Sequence, residues 1–277
     1  MGAVRRRTER GWVGVAAIVA SALVLGSGVV VGTMWLRRGP GRPSVGGAVD
    51  RFRSSATGTK RLASQPHPGV YLYDGTGTEH LSFLSTQQSQ VGSLPGTVTT
   101  GAGGCWTFAI EYNSFHRQTW NRCVTDGRLV ERGGTTDQRF DFGVFSQKEH
   151  TVIVCTPPIV LDDPSVAAGD TGTVRCDGHS QTTGADQQQR GRITYLGRTT
   201  VTVQGRRVAA VHYRQDVTIG GGQKGSTHEE VWLAAADGLP LRETRTIEVV
   251  SPAPAPIHEV TYREHGSWRL ASLTPRT

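Results

Sequence analysis

Residues 104–124 read GCWTFAIEYNSFHRQTWNRCV, and this stretch decides the fold. Apolar and polar residues alternate along both of its halves, as they do in half-buried β-strands. If Cys105 faces Cys123 across the two halves, Phe108 falls opposite Trp120 and the apolar positions keep a common face. The stretch therefore predicts an antiparallel hairpin closed by a disulfide.

The hairpin gathers its aromatic residues on one face and its cysteines on the other. The residues that share the aromatic face are Trp106, Phe108, Ile110 and Trp120. Cross-strand aromatic contacts of this kind contribute roughly 0.2–1 kcal/mol each. These rings form either ordinary core or the wall of a binding site. On the second interpretation, the candidate ligand-facing residues are Trp106, Phe108 and Trp120, together with Trp232 farther along the chain.

The remaining two cysteines, Cys155 and Cys176, enclose a proline-containing loop. A bridge between them would stabilise the fold by roughly 3 kcal/mol through loop-closure entropy. Four cysteines allow three pairings, and the hairpin favours the pairing of neighbours, Cys105 with Cys123 and Cys155 with Cys176. The spacings match neither a C-x-x-C motif nor a zinc finger. An even number of cysteines is typical of an oxidising compartment outside the cytoplasm.

Five further β-type runs follow at residues 192–203, 207–219, 226–235, 241–250 and 257–270. Gln204-Gly205 and Asp237-Gly238 are turn signals between them. Long strands with short connections form a broad antiparallel sheet. We therefore predict a mainly β domain over residues 68–277, built as a large curved antiparallel meander sheet, half-barrel or barrel-like, and preceded by one transmembrane helix.

The transmembrane prediction rests on residues 12–36, a run of 25 residues without a charge. As a helix this run would span about 37 Å, which exceeds the ~30 Å hydrocarbon core of a bilayer. A cleaved signal peptide is the alternative, but its apolar region is shorter. Residues 1–11 are then a short cytoplasmic basic tail, and residues 37–67, rich in Gly, Pro and Arg, are a flexible linker.

The position of the cysteines after the apolar run favours a cytoplasmic N-terminus and an outer C-terminal domain. The predicted location is therefore the cell membrane, crossed once, with the lipid bilayer as a partner. Gly28 and Gly32 match the small-xxx-small pattern of paired membrane helices. They suggest a homodimer.

Charge is distributed unevenly along the chain. The formal net charge is +7, but residues 1–67 carry 11 basic and 2 acidic residues, a net charge of +9, which leaves −2 for residues 68–277. Basic clusters beside a membrane span contact anionic lipid headgroups. A domain with a net negative charge gives no reason to expect nucleic acid as a partner.

One glycine-rich stretch looks like a phosphate-binding loop. Residues 219–227 read IGGGQKGST, but the lysine precedes the glycine that it should follow in a Walker motif. The stretch joins two β-type runs, so it predicts a hairpin turn and no nucleotide site.

Other patterns of chemistry are absent from the sequence or are better explained without a ligand. The outer domain has no H-E-x-x-H, G-x-S-x-G or EF-hand motif. Asp162, Asp163 and Asp170 could gather around calcium, but a solvated acidic loop is the simpler interpretation. No catalytic, cofactor-binding or metal-binding residue is predicted. A catalytic site assembled from distant strands has no signature in sequence spacing.

Residues 230–250, EVWLAAADGLPLRETRTIEVV, resemble a recurrent phrase of the lipoprotein-localisation-carrier superfamily. This resemblance implies a half-barrel that accepts acyl chains or peptides. Three further segments, GVYLYDGTGTE, GCWTFAIEYNS and VTYREHGSWRLASLTP, resemble actinobacterial single-pass membrane proteins with an outer β domain and no assigned activity.

These observations lead to three hypotheses of function. The first is a membrane-anchored, non-enzymatic binding module of the bacterial envelope, whose ligand is lipid-like or apolar or is another envelope protein. The second is an envelope hydrolase or transferase with a dispersed site. The third is a structural or partner-docking module of a membrane complex.

Overall fold

The computed structural model describes residues 41–55, 60–82, 87–141, 146–182, 184–252 and 259–277. Over these residues it contains one helix and thirteen strands. Their bounds are α1 (Val45–Ser55), β1 (Gly69–Leu81), β2 (Gln87–Ser89), β3 (Gly92–Thr100), β4 (Cys105–Asn113), β5 (His116–Thr125), β6 (Arg128–Asp141), β7 (Ser146–Asp162), β8 (Thr171–Ser180), β9 (Asp186–Val203), β10 (Arg206–Gly221), β11 (Lys224–Ala234), β12 (Pro240–Pro252) and β13 (Glu259–Leu270).

Twelve of the strands close into an antiparallel barrel. From β3 to β13 each strand pairs with the next, while β1 pairs with β3 on one side and with β13 on the other. In the seam between β1 and β13, Tyr73 lies opposite Leu270 and Leu81 opposite Tyr262. The short strand β2 pairs with Thr78–His80 of β1, beyond the part of β1 that pairs with β3. The mainly β fold is thus confirmed, and the predicted curved sheet closes completely.

The predicted hairpin is confirmed as β4 and β5. Cys105 lies opposite Cys123, and Phe108 lies opposite Trp120. Both predicted disulfides are present, Cys105–Cys123 and Cys155–Cys176. The second bridge belongs to the main buried cluster of the barrel.

The five predicted meander strands correspond to β9–β13. The largest difference is at β9, which begins at Asp186 rather than at residue 192. Its first residues are polar, so the sequence shows no apolar period there. Backbone pairing with β8 and with β10 nevertheless extends to this end of the strand.

The interior of the barrel has an apolar half and a polar half. Aromatic rings fill the apolar half, where Tyr73 contacts Phe108 and Trp268 with ring centroids 5.7 and 5.0 Å apart. Leu241 and Leu270 are buried in the same cluster. Burying an aromatic or a leucine side chain contributes about 1.5–3 kcal/mol, so this half supplies much of the stability.

Helix α1 lies in the segment that we expected to be a flexible linker, so for these residues the prediction is wrong. Ser44 caps the helix by accepting the backbone N–H of Gly47 at 3.1 Å. One turn apart, Ala48 and Phe52 are buried and pack with Val70. Val49 packs against the same cluster. Val45, Ala48, Val49 and Phe52 follow the i, i+3, i+4, i+7 spacing of an amphipathic helix, but the stripe is only two turns long and lies in a stretch rich in Gly and Ser.

Residues 1–40 lie outside the described part of the chain. They include the predicted cytoplasmic tail, the predicted transmembrane helix 12–36 and the glycines Gly28 and Gly32. Among the residues that are described, no helix has the length and the apolar character needed to cross a membrane.

Candidate functional site

Three of the four predicted ligand-facing residues lie together inside the barrel. Trp106, Phe108 and Trp120 are at most 8% exposed, and Phe108 stacks on Trp120 with ring centroids 5.6 Å apart. Trp232 is not among them. Its neighbours Val231 and Leu233 are buried in the core, so the alternation of the strand turns Trp232 to the opposite face of the sheet.

Trp232 is held between two side chains from the adjacent strands. On one side the His212 ring is nearly parallel to the indole, with centroids 4.1 Å apart. On the other side the Arg242 guanidinium carbon lies 4.6 Å from the ring centroid, a cation–π contact. Burial lowers the pKa of His212, although Glu230 opposes this effect. His212 is therefore neutral at pH 7. In the stack of His212, Trp232 and Arg242, the positive charge is that of Arg242.

Trp232 and Arg242 line a cleft of about 590 Å³. This volume falls within the range of small-molecule sites. The cleft combines apolar residues with hydroxyl and charged groups, and its lining consists of Asp74, Thr76, Thr200, Val201, Thr202, Trp232, Leu241, Arg242, Ser267, Trp268, Arg269 and Leu270. The Arg269 side chain is 76% exposed, with its Nε 3.8 Å from Asp74. The cleft can thus contact an apolar group and an anionic group at once.

A second feature is the buried polar cluster in the polar half of the barrel, formed by Glu79, Gln90, His116, Arg245 and Glu264. Each of these residues is at most 3% exposed. Nδ1 of His116 lies 2.8 Å from Oε1 of Glu79, and Nε of Arg245 donates to Oε1 of Glu264 at 2.5 Å. Strands β1, β5, β12 and β13 each supply one of the four titratable residues.

Gln90 reaches this cluster because two glycines leave room for its side chain. Gly77 and Gly266 lie opposite each other in β1 and β13. A Cβ atom on Gly77 or on Gly266 would lie only 2.8 or 2.7 Å from Oε1 of Gln90. From this position Nε2 of Gln90 donates to both carboxylates, at 2.7 Å to Glu79 and at 2.8 Å to Glu264.

The two carboxylates of the cluster are held by further donors. Tyr262 donates its hydroxyl to Oε2 of Glu264 at 2.6 Å, and Asn113 donates to Oε1 of Glu79 at 3.3 Å. Burial raises the pKa of Glu264, but the charges of Arg245 and His116 outweigh burial and leave that pKa below its usual value. Glu264 is therefore ionised.

The sequence offered no signal for this cluster. Ligand atoms of Glu79, His116 and Glu264 lie within 4.8 Å of one another. No spacing motif could reveal the group, since closure of the barrel brings together strands from distant parts of the chain. Polar residues on a strand are also read as solvent-facing by default.

A layer of charged residues lies between the polar cluster and the aromatic core. Nε of Arg122 donates to Oε2 of Glu131 at 3.1 Å, and both residues are buried. Burial raises the pKa of Glu229 to about 7, against the attraction of Arg245. Burial also raises the pKa of Glu243 well above its usual value, and the nearby carboxyl of Glu229 adds to this rise.

The acidic loop and the glycine-rich stretch have local structural explanations. Asp162 pairs with Arg198 at 2.8 Å, Asp163 accepts the hydroxyl of Ser165, and Asp170 accepts the backbone N–H of Ala167. Each aspartate thus has its own local partner, and the three carboxylates do not surround a common cation site. The stretch 219–227 contains the short connection between β10 and β11, in agreement with the predicted turn.

Comparison with known proteins adds little to this picture. No protein-family model matches the sequence, and no curated protein is significantly similar to it. Among solved structures the chain is similar to the hypothetical lipoprotein YmcC of Escherichia coli K12, with 14% sequence identity and a TM-score of 0.32. The match covers 81% of this chain and 97% of that chain. So slight a likeness indicates neither a ligand nor an activity.

Proposed function

We propose that this protein is a non-enzymatic binding module at the outer face of a bacterial cell membrane, and that its ligand is an anionic amphiphile. The observation that carries the proposal is the cleft of about 590 Å³ beside Trp232. It offers a lipid-like molecule both an apolar contact surface and positive charge.

The apolar contact surface comes mainly from Trp232, with core side chains behind it. Leu241, Trp268 and Leu270 line the cleft although they are almost fully buried in the core. Trp232 adds an indole that is fixed by its neighbours on both sides. Each ~40 Å² of accessible apolar surface that a ligand covers contributes about 1 kcal/mol to binding before the cost of ordering.

The positive charge comes from Arg242 and Arg269. Hydrogen bonds between an arginine and an anionic oxygen contribute about 1.5–3 kcal/mol, more than bonds between neutral groups. Asp74 is the acidic residue in the lining, so the two arginines leave an excess of positive charge. This balance favours a phosphate or carboxylate headgroup over a neutral one.

The proposed location is supported by the disulfides. All four cysteines are paired, which is typical of proteins outside the cytoplasm. Anchoring by residues 12–36 is part of the proposal and would keep the cleft close to the bilayer. Membrane lipids are then the most abundant amphiphiles within reach.

The proposal is tested with short-chain phospholipids below their micelle concentration, added to the full chain in a neutral detergent. We expect dihexanoyl phosphatidylglycerol to bind at least 10-fold more tightly than dihexanoyl phosphatidylcholine, as measured by tryptophan fluorescence. Arg269→Gln is expected to weaken binding of the anionic lipid about 10-fold, since one charge-assisted bond is lost.

The matched control is Arg263→Gln. Arg263 is an exposed arginine on the same strand, β13, paired with Glu248 at 3.0 Å and outside the cleft. Equal affinity for the two lipids, or equal effects of the two substitutions, would exclude the cleft as an anionic-lipid site. A partner-docking function would then be the better explanation.

A further inference from the structure

The seam between β1 and β13 places two carboxylates face to face inside the barrel. Glu79 lies directly opposite Glu264, and both residues are at most 3% exposed. Like charges opposite each other in a sheet repel, and burial makes each charge more costly. Arg245 neutralises Glu264, whereas the neighbours of Glu79 are His116 and the amides of Gln90 and Asn113.

His116 completes a group of three metal-ligating side chains. One ligand atom from each of Glu79, His116 and Glu264 lies within 4.8 Å of the other two. A zinc ion lies about 2.0–2.2 Å from its nitrogen and oxygen ligands, so its ligands are at most about 4 Å apart. Side-chain shifts of about 1 Å would therefore be enough to close the site around an ion.

Gln90 marks the place that such an ion would take. Its Nε2 lies 2.7 and 2.8 Å from one oxygen of each carboxylate. The neutral amide nitrogen of Gln90 thus lies between the carboxylates of Glu79 and Glu264, where a cation would be attracted by both. An ion at this point would take the place of the Gln90 amide, which would have to move aside.

The ligands have the outer hydrogen bonds that metal sites require. Asn113 contacts Glu79, and Tyr262 donates to Glu264. Nε2 of His116, the ring nitrogen that faces away from Glu79, lies 3.4 Å from the amide nitrogen of Gln138. With this amide turned to present its oxygen, His116 would donate from Nε2 and keep Nδ1 for the ion. Such contacts fix the orientation of metal ligands and strengthen binding.

Tyr112 provides an independent observation beside the same residues. It is 1% exposed, and its ring lies 4.8 Å from the His116 ring and 3.9 Å from the guanidinium carbon of Arg245. Its buried hydroxyl has no hydrogen-bond partner. An unsatisfied buried hydroxyl costs about 1–3 kcal/mol. A water molecule carried by an ion would supply the missing partner, because three protein ligands leave one position of zinc open.

We infer that Glu79, His116 and Glu264 form a binding site for a divalent transition-metal ion, with Zn²⁺ as the best match. One imidazole and two carboxylates suit zinc, whereas calcium and magnesium prefer oxygen ligands alone. The ion would join β1, β5 and β13. It would therefore stabilise the seam that closes the barrel.

The test uses the full chain in detergent, stripped with EDTA and titrated with Zn²⁺ by calorimetry. We expect one high-affinity zinc per chain and a rise in Tm on loading. His116→Ala and Glu79→Gln are expected to weaken zinc binding at least 10-fold. The matched control is His228→Ala, since His228 is another histidine beside a carboxylate, 2.5 Å from Asp216, but it lies at the surface.

Two results would overturn the inference. One is wild-type protein that binds no zinc, and the other is a loss of zinc in His228→Ala as large as that in His116→Ala. If the buried substitutions prevent folding, X-ray absorption by zinc-loaded wild-type protein decides the question. A coordination shell with one imidazole and carboxylate oxygens supports the site, and a shell without imidazole contradicts it.

Discussion

Two glutamates near the middle of the barrel make its stability sensitive to pH. Glu229 and Glu243 lie diagonally across β11 and β12, in the charged layer that also contains Arg122, and Arg245 of the polar cluster lies opposite Glu229. Burial is the main cause that raises the pKa of Glu229, to about 7 from 4.5. Between these two values the folded protein binds more protons than the unfolded chain. Stability therefore falls as the pH rises from about 4.5 to about 7.

We expect Glu229→Gln to remove much of this pH dependence, because the amide has no proton to lose. At pH 7.5 the variant should have a free energy of unfolding about 1–3 kcal/mol above that of the wild type. Calorimetric Tm values at pH 5 and pH 7.5 measure the effect. The control is Glu230→Gln, which changes the next residue on the opposite face of β11. A Glu229→Gln variant with the wild-type pH profile would contradict this account.

The residues that could be predicted from the sequence are those whose partners lie nearby in the chain. Cys105 and Cys123 fix the register of their hairpin, so the apposition of Phe108 and Trp120 follows from local pattern alone. No cysteine pair or turn near Glu79 and Glu264 fixes the register in which their strands pair. Both glutamates point inward on strands where a polar residue ordinarily indicates the solvent face, and their pairing depends on the closure of the whole sheet.

Among the elements, helix α1 is a short amphipathic segment that the sequence analysis assigned to a flexible linker. Its buried stripe consists mainly of Ala48 and Phe52, which pack with Val70 of β1. Arg53 also donates to the backbone oxygen of Thr277 at 2.8 Å. A helix of 11 residues is marginal in water. Contact with the barrel therefore accounts for its order, and this contact cannot be read from the segment itself.

We expect Phe52→Ala to release α1 from the barrel, because the substitution removes the largest side chain in this contact. Loss of a buried phenylalanine costs about 3–5 kcal/mol, but only the docking of the helix should be affected. Hydrogen exchange should accelerate at Val45–Ser55 and stay unchanged in β4 and β5. Asp50→Asn, at an exposed position of the same helix, is the control. Unchanged exchange in α1 would show that Phe52 does not hold the helix.

The size of the whole barrel explains why its interior is partly polar. Eight strands make a barrel whose interior side chains can fill, and sixteen make a water-filled channel. Twelve strands fall between these cases, so apolar side chains fill one half and charged and amide groups fill the other. The curved sheet could be predicted from its repeated strands. Closure could not, because β1 and β13 carry no local signal that they are partners.

Closure of the seam can be tested by a cross-link. Thr76 of β1 lies opposite Ser267 of β13, and their hydroxyl oxygens are 3.0 Å apart. We expect the double variant Thr76→Cys and Ser267→Cys to form a third disulfide when the purified protein is exposed to air, detected by peptide mass spectrometry. Thr78→Cys with Ser267→Cys is the control, since Thr78 pairs with His265 instead. A Thr76/Ser267 pair that stays reduced would mean that the barrel is open.

The ladder between β1 and β13 also sets the order of events during synthesis. The nascent chain emerges with β1 first, and this strand must wait for almost two hundred further residues before its second neighbour appears. Both disulfides, by contrast, join neighbouring strands and can form as soon as both strands of each pair are present. Until β13 arrives, β1 and β12 are free edges that invite aggregation. The rate at which β13 follows β1 and the capacity of chaperones to protect the open edges should therefore govern the yield of this protein more than the stability of its core.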